Sequence, residues 1–206
     1  DVSIGDYNFM YFDKTVQRIN ELTTSNILFK KIFDEPTILI NNKKFQNWSI
    51  LKDKIKSKIN NLHNVKDNCI IHGDLYFSNI LYDLKNNDFK LIDPRGKWGK
   101  GNSGDIKYDI AKVRHSIVGG FDTIANGLYS VSYDKKNGII FESYKPKNHE
   151  LISKKLDSVI EKSLNIDDIK MIEGLLFISM IPLHKDNFER QLAFYSIGIQ
   201  RLNEIF

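Results

Sequence analysis

Asp74, Asn79 and Asp93 are the residues of this chain whose types and spacing suit chemistry. The first two lie in Ile71-His-Gly-Asp-Leu-Tyr-Phe-Ser-Asn-Ile-Leu81 and the third in Leu91-Ile-Asp-Pro-Arg-Gly96. All three carry hard oxygen atoms among apolar, strand-like neighbours. Asp74 and Asn79 sit five residues apart on a loop between two short strand signals, so both side chains reach one cleft, and Asp93 ends a third such run. Phosphoryl transfer from a nucleotide requires a carboxylate that orients the attacking hydroxyl and accepts its proton, plus oxygen ligands that hold Mg²⁺ against the phosphates. This trio supplies those parts. The same oxygens would serve a metal-activated water in a phosphohydrolase, although such sites usually recruit several histidines and the others here form no paired ligand motif. The bland alternative is a turn, with Asp74 capping backbone and Asp93 preceding a proline. The strand, loop, strand and second Asp favour chemistry over that alternative.

The elements that must position these residues are mostly helical. Phe9, Phe12, Val16, Ile19 and Leu22 recur at spacings of three and four and predict a helix over 8–22, and Ile50, Leu51, Ile55, Ile59 and Leu62 predict another over 48–62. Between them, Thr37–Ile40 and Lys43–Phe45 flank Asn41-Asn42, a hairpin signal. Short strands are expected at 68–71, 80–82 and 89–92, then a helix at 106–118. A second hairpin, 128–132 with 139–144, turns at Asp134-Lys-Lys-Asn-Gly138. Helices follow at 149–164, with Leu151, Ile152, Leu156, Val159 and Ile160 on one face, from Asp167 as N-cap to Met180, where Pro182 stops it, and at 188–205.

Composition bounds the function. The chain has 206 residues, 41% of them hydrophobic, enough for one globular unit with a real core. No basic segment followed by an apolar stretch opens it, and no run approaches the roughly 18 apolar residues of a membrane span, so a soluble, cytoplasmic protein is expected. The net charge of +4 comes from scattered lysines without a basic stripe or a nucleic-acid-reading motif, which argues against nucleic acid as partner. Cys69, in the apolar run NCII, reads as a small buried hydrophobe.

HGDLYFSN followed by IDPRG resembles the catalytic signature of the aminoglycoside phosphotransferase and choline kinase superfamily, distant relatives of the protein kinases. The resemblance implies an α+β, mainly helical large lobe of a protein-kinase-like fold. Its parts would be a helical insertion at 1–66, catalytic and metal-binding loops at 67–113, and a helical subdomain with a hairpin at 114–206. It makes Asp74 the catalytic base, Asn79 and Asp93 the ligands of Mg²⁺ and of the ATP or other NTP held with it, and His72 a residue that holds the loop. Gly104-Asp-Ile-Lys-Tyr-Asp-Ile-Ala111 is similar to the family's helix start, with Asp109 as an anchor of the loop. The wording IDPRG and YDIAKVRHS looks closest to bacterial kinase-like proteins encoded with capsule or surface-polysaccharide genes. The implied activity is transfer to a hydroxyl of a sugar, amino alcohol or aminoglycoside-like molecule. Nothing before His72 looks like the glycine-rich loop, strand Lys and helix Glu of the family's small lobe, so that lobe is expected upstream in a longer protein or lost, and this part alone is expected to be inactive. A pseudokinase-like binding module is the non-enzymatic alternative.

Weaker candidates surround the trio. Gly99-Lys-Gly-Asn-Ser-Gly104 has the letters of a dinucleotide fingerprint but not the strand-to-helix setting, so it reads as a flexible segment. Arg95, Lys97 and Lys100 on or near it are candidates to meet an anionic substrate or product, with solvated side chains as the alternative. Trp98, Tyr108, Phe188 and Tyr195 are candidate pocket aromatics, with core packing as the alternative. His184, at a break between helices, is expected to cap a helix end, with a substrate-pocket role as the lesser reading.

Overall fold

The computed structural model describes residues 2–99 and 101–206. Ser3 opens α1 (Ile4–Asn8) with a reciprocal capping box to Asp6. The helix then passes through a π-helical turn at Phe9–Asp13 into α2 (Lys14–Ser25). That wide turn shifts the helix face, because one extra residue per turn rotates everything before it. Ile19 and Leu22 are buried as the periodicity predicts, but Phe9 faces outward and Tyr7, Met10 and Tyr11 take the core positions instead. A short helix absent from the sequence reading, α3 (Ile27–Asp34), follows, capped by Asn26.

The first predicted hairpin is present as β1 (Thr37–Ile40) and β2 (Lys43–Gln46), with Asn41 and Asn42 both at positive φ, as a two-residue turn requires. The second is β7 (Tyr129–Asp134) and β8 (Gly138–Ser143), whose turn is fixed by Asp134 accepting from the amides of Lys136 and Asn137. The two hairpins join through a parallel contact between β1 and β8 into one mixed sheet of order β2-β1-β8-β7. Gly138 makes this possible: a Cβ there would lie 2.3 Å from the Leu39 carbonyl. Two further antiparallel pairs carry the motif region: β3 (Asn68–Ile70) with β6 (Ser103–Asp105), and β4 (Ile80–Asp83) with β5 (Asp88–Leu91). Cys69 on β3 is exposed, as is its neighbour Ile70, which corrects the expectation of a buried thiol.

The remaining helices are α4 (Trp48–Ile59), α5 (Ile106–Ile117), the short α6 (Phe121–Ala125), α7 (His149–Ile160), α8 (Ile166–Met180) and α9 (Phe188–Asn203). Asn165, not Asp167, caps α8, accepting from the Asp167 amide. Pro182 ends it in a 3₁₀ turn at Ile181–His184, as expected. On α7 the predicted apolar face is only partly used: Ile160 is buried, while Leu151, Ile152 and Val159 are exposed. The core is built by α2, α5, α8 and α9 and runs on through Tyr7, Tyr11 and Trp98 to the floor of the motif loops. The architecture is α+β and dominated by helix, and among the described residues no helix is long and apolar enough to cross a membrane.

Candidate active site

The motif loop is held by its backbone. After β3 the chain turns at Gly73, with φ +77°, where a Cβ would press within 3.0 Å of the Arg95 Cβ. Asp109, in the first turn of α5, accepts from the His72 amide at 2.6 Å and from the Gly73 amide at 2.8 Å, so its two oxygens clamp the turn. Burial pushes the Asp109 carboxyl up, and the two amides pull it back toward the ionised form. This is the anchoring role expected from the sequence. The His72 ring bridges the loop to the end of β5: Nε2 donates to the Ile92 carbonyl at 2.8 Å and Nδ1 accepts from the Asp74 amide at 3.3 Å. One tautomer, protonated at Nε2, satisfies both contacts. His72 therefore holds two strands of the site together.

Asp74 and Asn79 are directly linked, since Asn79 Nδ2 donates to the Asp74 carbonyl at 2.8 Å. Asn79 is buried, and its Oδ1 makes no hydrogen bond among the described residues. The Ile92 amide donates to the Asn79 carbonyl at 3.0 Å, which brings Asp93, the next residue, to the same place. Asp93 is exposed and lies at φ +52°, left-handed, although it precedes Pro94, where extended backbone is favoured. Such strain concentrates at functional positions.

Beside this loop lies a cavity of about 210 Å³ between α2, α5 and α8, with Asp74 in its wall. The Asp74 carboxylate is paired with Lys112 Nζ at 2.9 Å, and Lys112 also lies over the ring of Tyr76. Arg95 joins the wall, tied by its amide to the His72 carbonyl and by its guanidinium to the Tyr108 hydroxyl at 3.2 Å. Lys14 and Arg18 from α2 complete the polar part. Sequence reasoning missed Lys112, Lys14 and Arg18. Lys112 had a signal, lying three residues after Asp109 and so on nearly the same face of α5, whereas Lys14 and Arg18 look like any solvent-facing cations of an amphipathic helix.

Other candidates fall elsewhere. Lys97 is exposed and does not line the cavity. Trp98 is core, only 1% exposed and edge-on to Tyr7 and Tyr11, because the bridge between Trp98 and Gly101 folds it inward over Gly104. Phe188 packs on Phe29 and Tyr195 on Phe33, while Tyr108 does line the cavity. His184 packs edge-on to Phe194; Asn187 is the cap of α9, and Leu183, not His184, reaches the cavity. Lys100 lies outside the described residues. The glycine-containing segment runs into β6, which passes directly into α5. Among the described residues no group of three or more His, Cys, Asp and Glu is placed to hold a metal. Set against protein-family models, curated proteins and solved structures, the chain matches none of them.

Proposed function

We propose that this chain is the large lobe of a kinase-like phosphotransferase that moves the terminal phosphoryl group of ATP, or another nucleoside triphosphate, to a hydroxyl of a small molecule. One observation carries the reading: a carboxylate, Asp74, stands in the wall of a cavity of about 210 Å³. Its loop is fixed at His72 and Gly73 by Asp109 and is tied through Asn79 and Ile92 to a strained, exposed Asp93. Asp74 accepts the acceptor's proton as its oxygen forms the new P–O bond and the nucleoside diphosphate leaves. Lys112 holds the Asp74 carboxylate in position for that role. The donor set beside it, the unpaired Asn79 Oδ1 and the Asp93 carboxylate, is all hard oxygen and few in number, which suits Mg²⁺, an ion that keeps waters and phosphates among its ligands. When bound, the ion would neutralise charge on the transferred group.

The nucleotide would lie over the β4–β5 hairpin. Ile80, Tyr82, Phe89 and Leu91 share one face of that hairpin by register, and the last three are exposed. An uncovered two-stranded hairpin is marginal by itself, and an apolar exposed face is what an adenine ring and a small lobe would cover. A nucleoside-triphosphate-dependent reaction fits work in the cytoplasm.

The test is single-turnover transfer from labelled ATP, with magnesium, to a panel of hydroxyl compounds, using the complete polypeptide that contains this chain. Asp74→Asn keeps the shape and removes the base, and is expected to lower kcat by about 10²-fold or more with nucleotide affinity little changed. Full activity in that variant overturns the assignment. Hydrolysis of phosphate esters without nucleotide would identify a phosphohydrolase, and nucleotide binding with no transfer to any acceptor would identify a binding module.

A further inference from the structure

We infer that the cavity beside Asp74 takes an anionic acceptor, a polyhydroxyl compound bearing a carboxylate or phosphate, held by Lys14, Arg18 and Arg95. This rests on the phosphotransferase reading only for what happens to the hydroxyl, not for what binds. The charged groups facing the cavity are four cations, Lys14 and Arg18 from α2, Arg95 from the loop after β5 and Lys112 from α5, against one carboxylate, Asp74. Lys112 is taken up by Asp74. The other three have no carboxylate at ion-pair distance among the described residues: Arg18 donates to the Ser179 carbonyl at 3.1 Å, Arg95 to the Tyr108 hydroxyl, and Lys14 makes no hydrogen bond. From α8 the cavity receives apolar side chains and Ser179, and no acid.

Like charges gathered in a half-buried space repel one another and lose hydration, and an anion relieves both costs. The strain is visible at Lys14, whose amine is lowered to about 8 by burial first and then by Arg18, Arg95 and Lys112. The same field repels a cationic acceptor. Of the acceptors the sequence leaves open, amino alcohols and aminoglycoside-like molecules are therefore disfavoured, and an acidic sugar is favoured. Guanidinium groups suit the task, since they bind carboxylate and phosphate in a forked geometry. Tyr76, half-buried in the wall, offers ring surface to a sugar, while Tyr11 and Tyr108 are buried behind it.

Calorimetric titration tests this without requiring turnover. The probes are glucuronate and glucose 6-phosphate against glucose, glucosamine and choline, with and without saturating magnesium–ADP. One or both anionic probes are expected to bind at least ~10-fold more tightly than the neutral and cationic ones, and Arg18→Gln and Lys14→Met are each expected to weaken that binding ~10-fold. Lys14→Met removes no hydrogen bond, so it keeps the test open if Arg18→Gln disturbs the fold. Which anionic probe binds separates a carboxylate from a phosphate. Equal or tighter binding of glucosamine or choline overturns the inference, as do absence of anion binding or affinity unchanged in both variants. Mutual exclusion with magnesium–ADP also overturns it, because the cations would then serve the nucleotide. Anion binding without phosphoryl transfer leaves this inference standing and removes the phosphotransferase reading.

Discussion

Asp109 fixes the motif loop through backbone amides alone. Both its oxygens are spent on consecutive amides, those of His72 and Gly73, at the turn where Gly73 takes positive φ. Asp109→Ala would leave two inward-facing amides without acceptors, and hydrogen bonds to a charged group carry more than neutral ones. The expected loss is about 3 kcal/mol in urea unfolding, with Asp109→Asn, which keeps one acceptor, losing less. A loss below about 0.5 kcal/mol for the alanine variant would mean that water replaces the clamp. Asp109 and Asp74 were legible in the sequence because each sits in a motif. The pairing of Asp74 with Lys112 was not, since it depends on how α5 docks beside the loop and no local pattern encodes that docking. The left-handed Asp93 was equally invisible, because a residue before proline is normally read as extended.

At the scale of elements, α5 is the organiser, and it is unusual in burying its polar residues. Lys107, Asp109, Lys112, Arg114, His115 and Ser116 are all buried on it. Each but His115 finds a partner: Lys107 meets Asp67 at 2.5 Å, and Ser116 accepts from the Phe77 amide at 3.3 Å. His115 instead lies between the rings of Phe121 and Phe177, with centroids at 4.6 and 4.0 Å, and neither of its nitrogens has a hydrogen-bond partner among the described residues. Burial, and then the nearby charge of Lys112, lowers its pKa well below the usual value. The unfolded chain therefore binds a proton at His115 that the folded chain refuses. The stability this contributes is complete above about pH 6.5 and is lost as pH falls below it, at up to about 1.4 kcal/mol per pH unit. Urea unfolding between pH 7.5 and 5.5 should show this slope, and His115→Phe, which keeps an aromatic ring and removes the proton, should flatten it relative to the wild type. An unchanged slope would assign the acid sensitivity to His149 and His184, whose pKa values burial also lowers.

Taken as a whole, the molecule was legible wherever one element speaks for itself and illegible where elements meet. Helical periodicity located α4, α5, α8 and α9, and turn chemistry located both hairpins. Nothing in either hairpin announced that β1 would pair with β8 across about a hundred residues. The π-helical turn broke the assumption of constant period that placed Phe9 inside. The same holds for the ionic network that joins the helical half to the site. Glu173, fully buried on α8, accepts from Arg114 of α5 and lies 3.5 Å from Arg201 of α9. Arg114 reaches on to Asp157 of α7 at 2.9 and 3.0 Å. Three helices thus meet at the Glu173 carboxylate and α7 joins them through Arg114, while α5 also carries Asp109 and Lys112 to the motif loop. Replacing such a network with apolar side chains costs little, but removing one member leaves a buried charge unmatched. Glu173→Ala strands the Arg114 guanidinium beside Asp157 alone and is expected to destabilise the fold by about 3 to 5 kcal/mol in urea unfolding. The triple variant Glu173→Leu, Arg114→Met, Arg201→Met should recover most of that loss. Recovery would show that the network specifies how the helices dock more than it stabilises them; no recovery would mean that its hydrogen bonds, and not only its charge balance, hold α5 against α8.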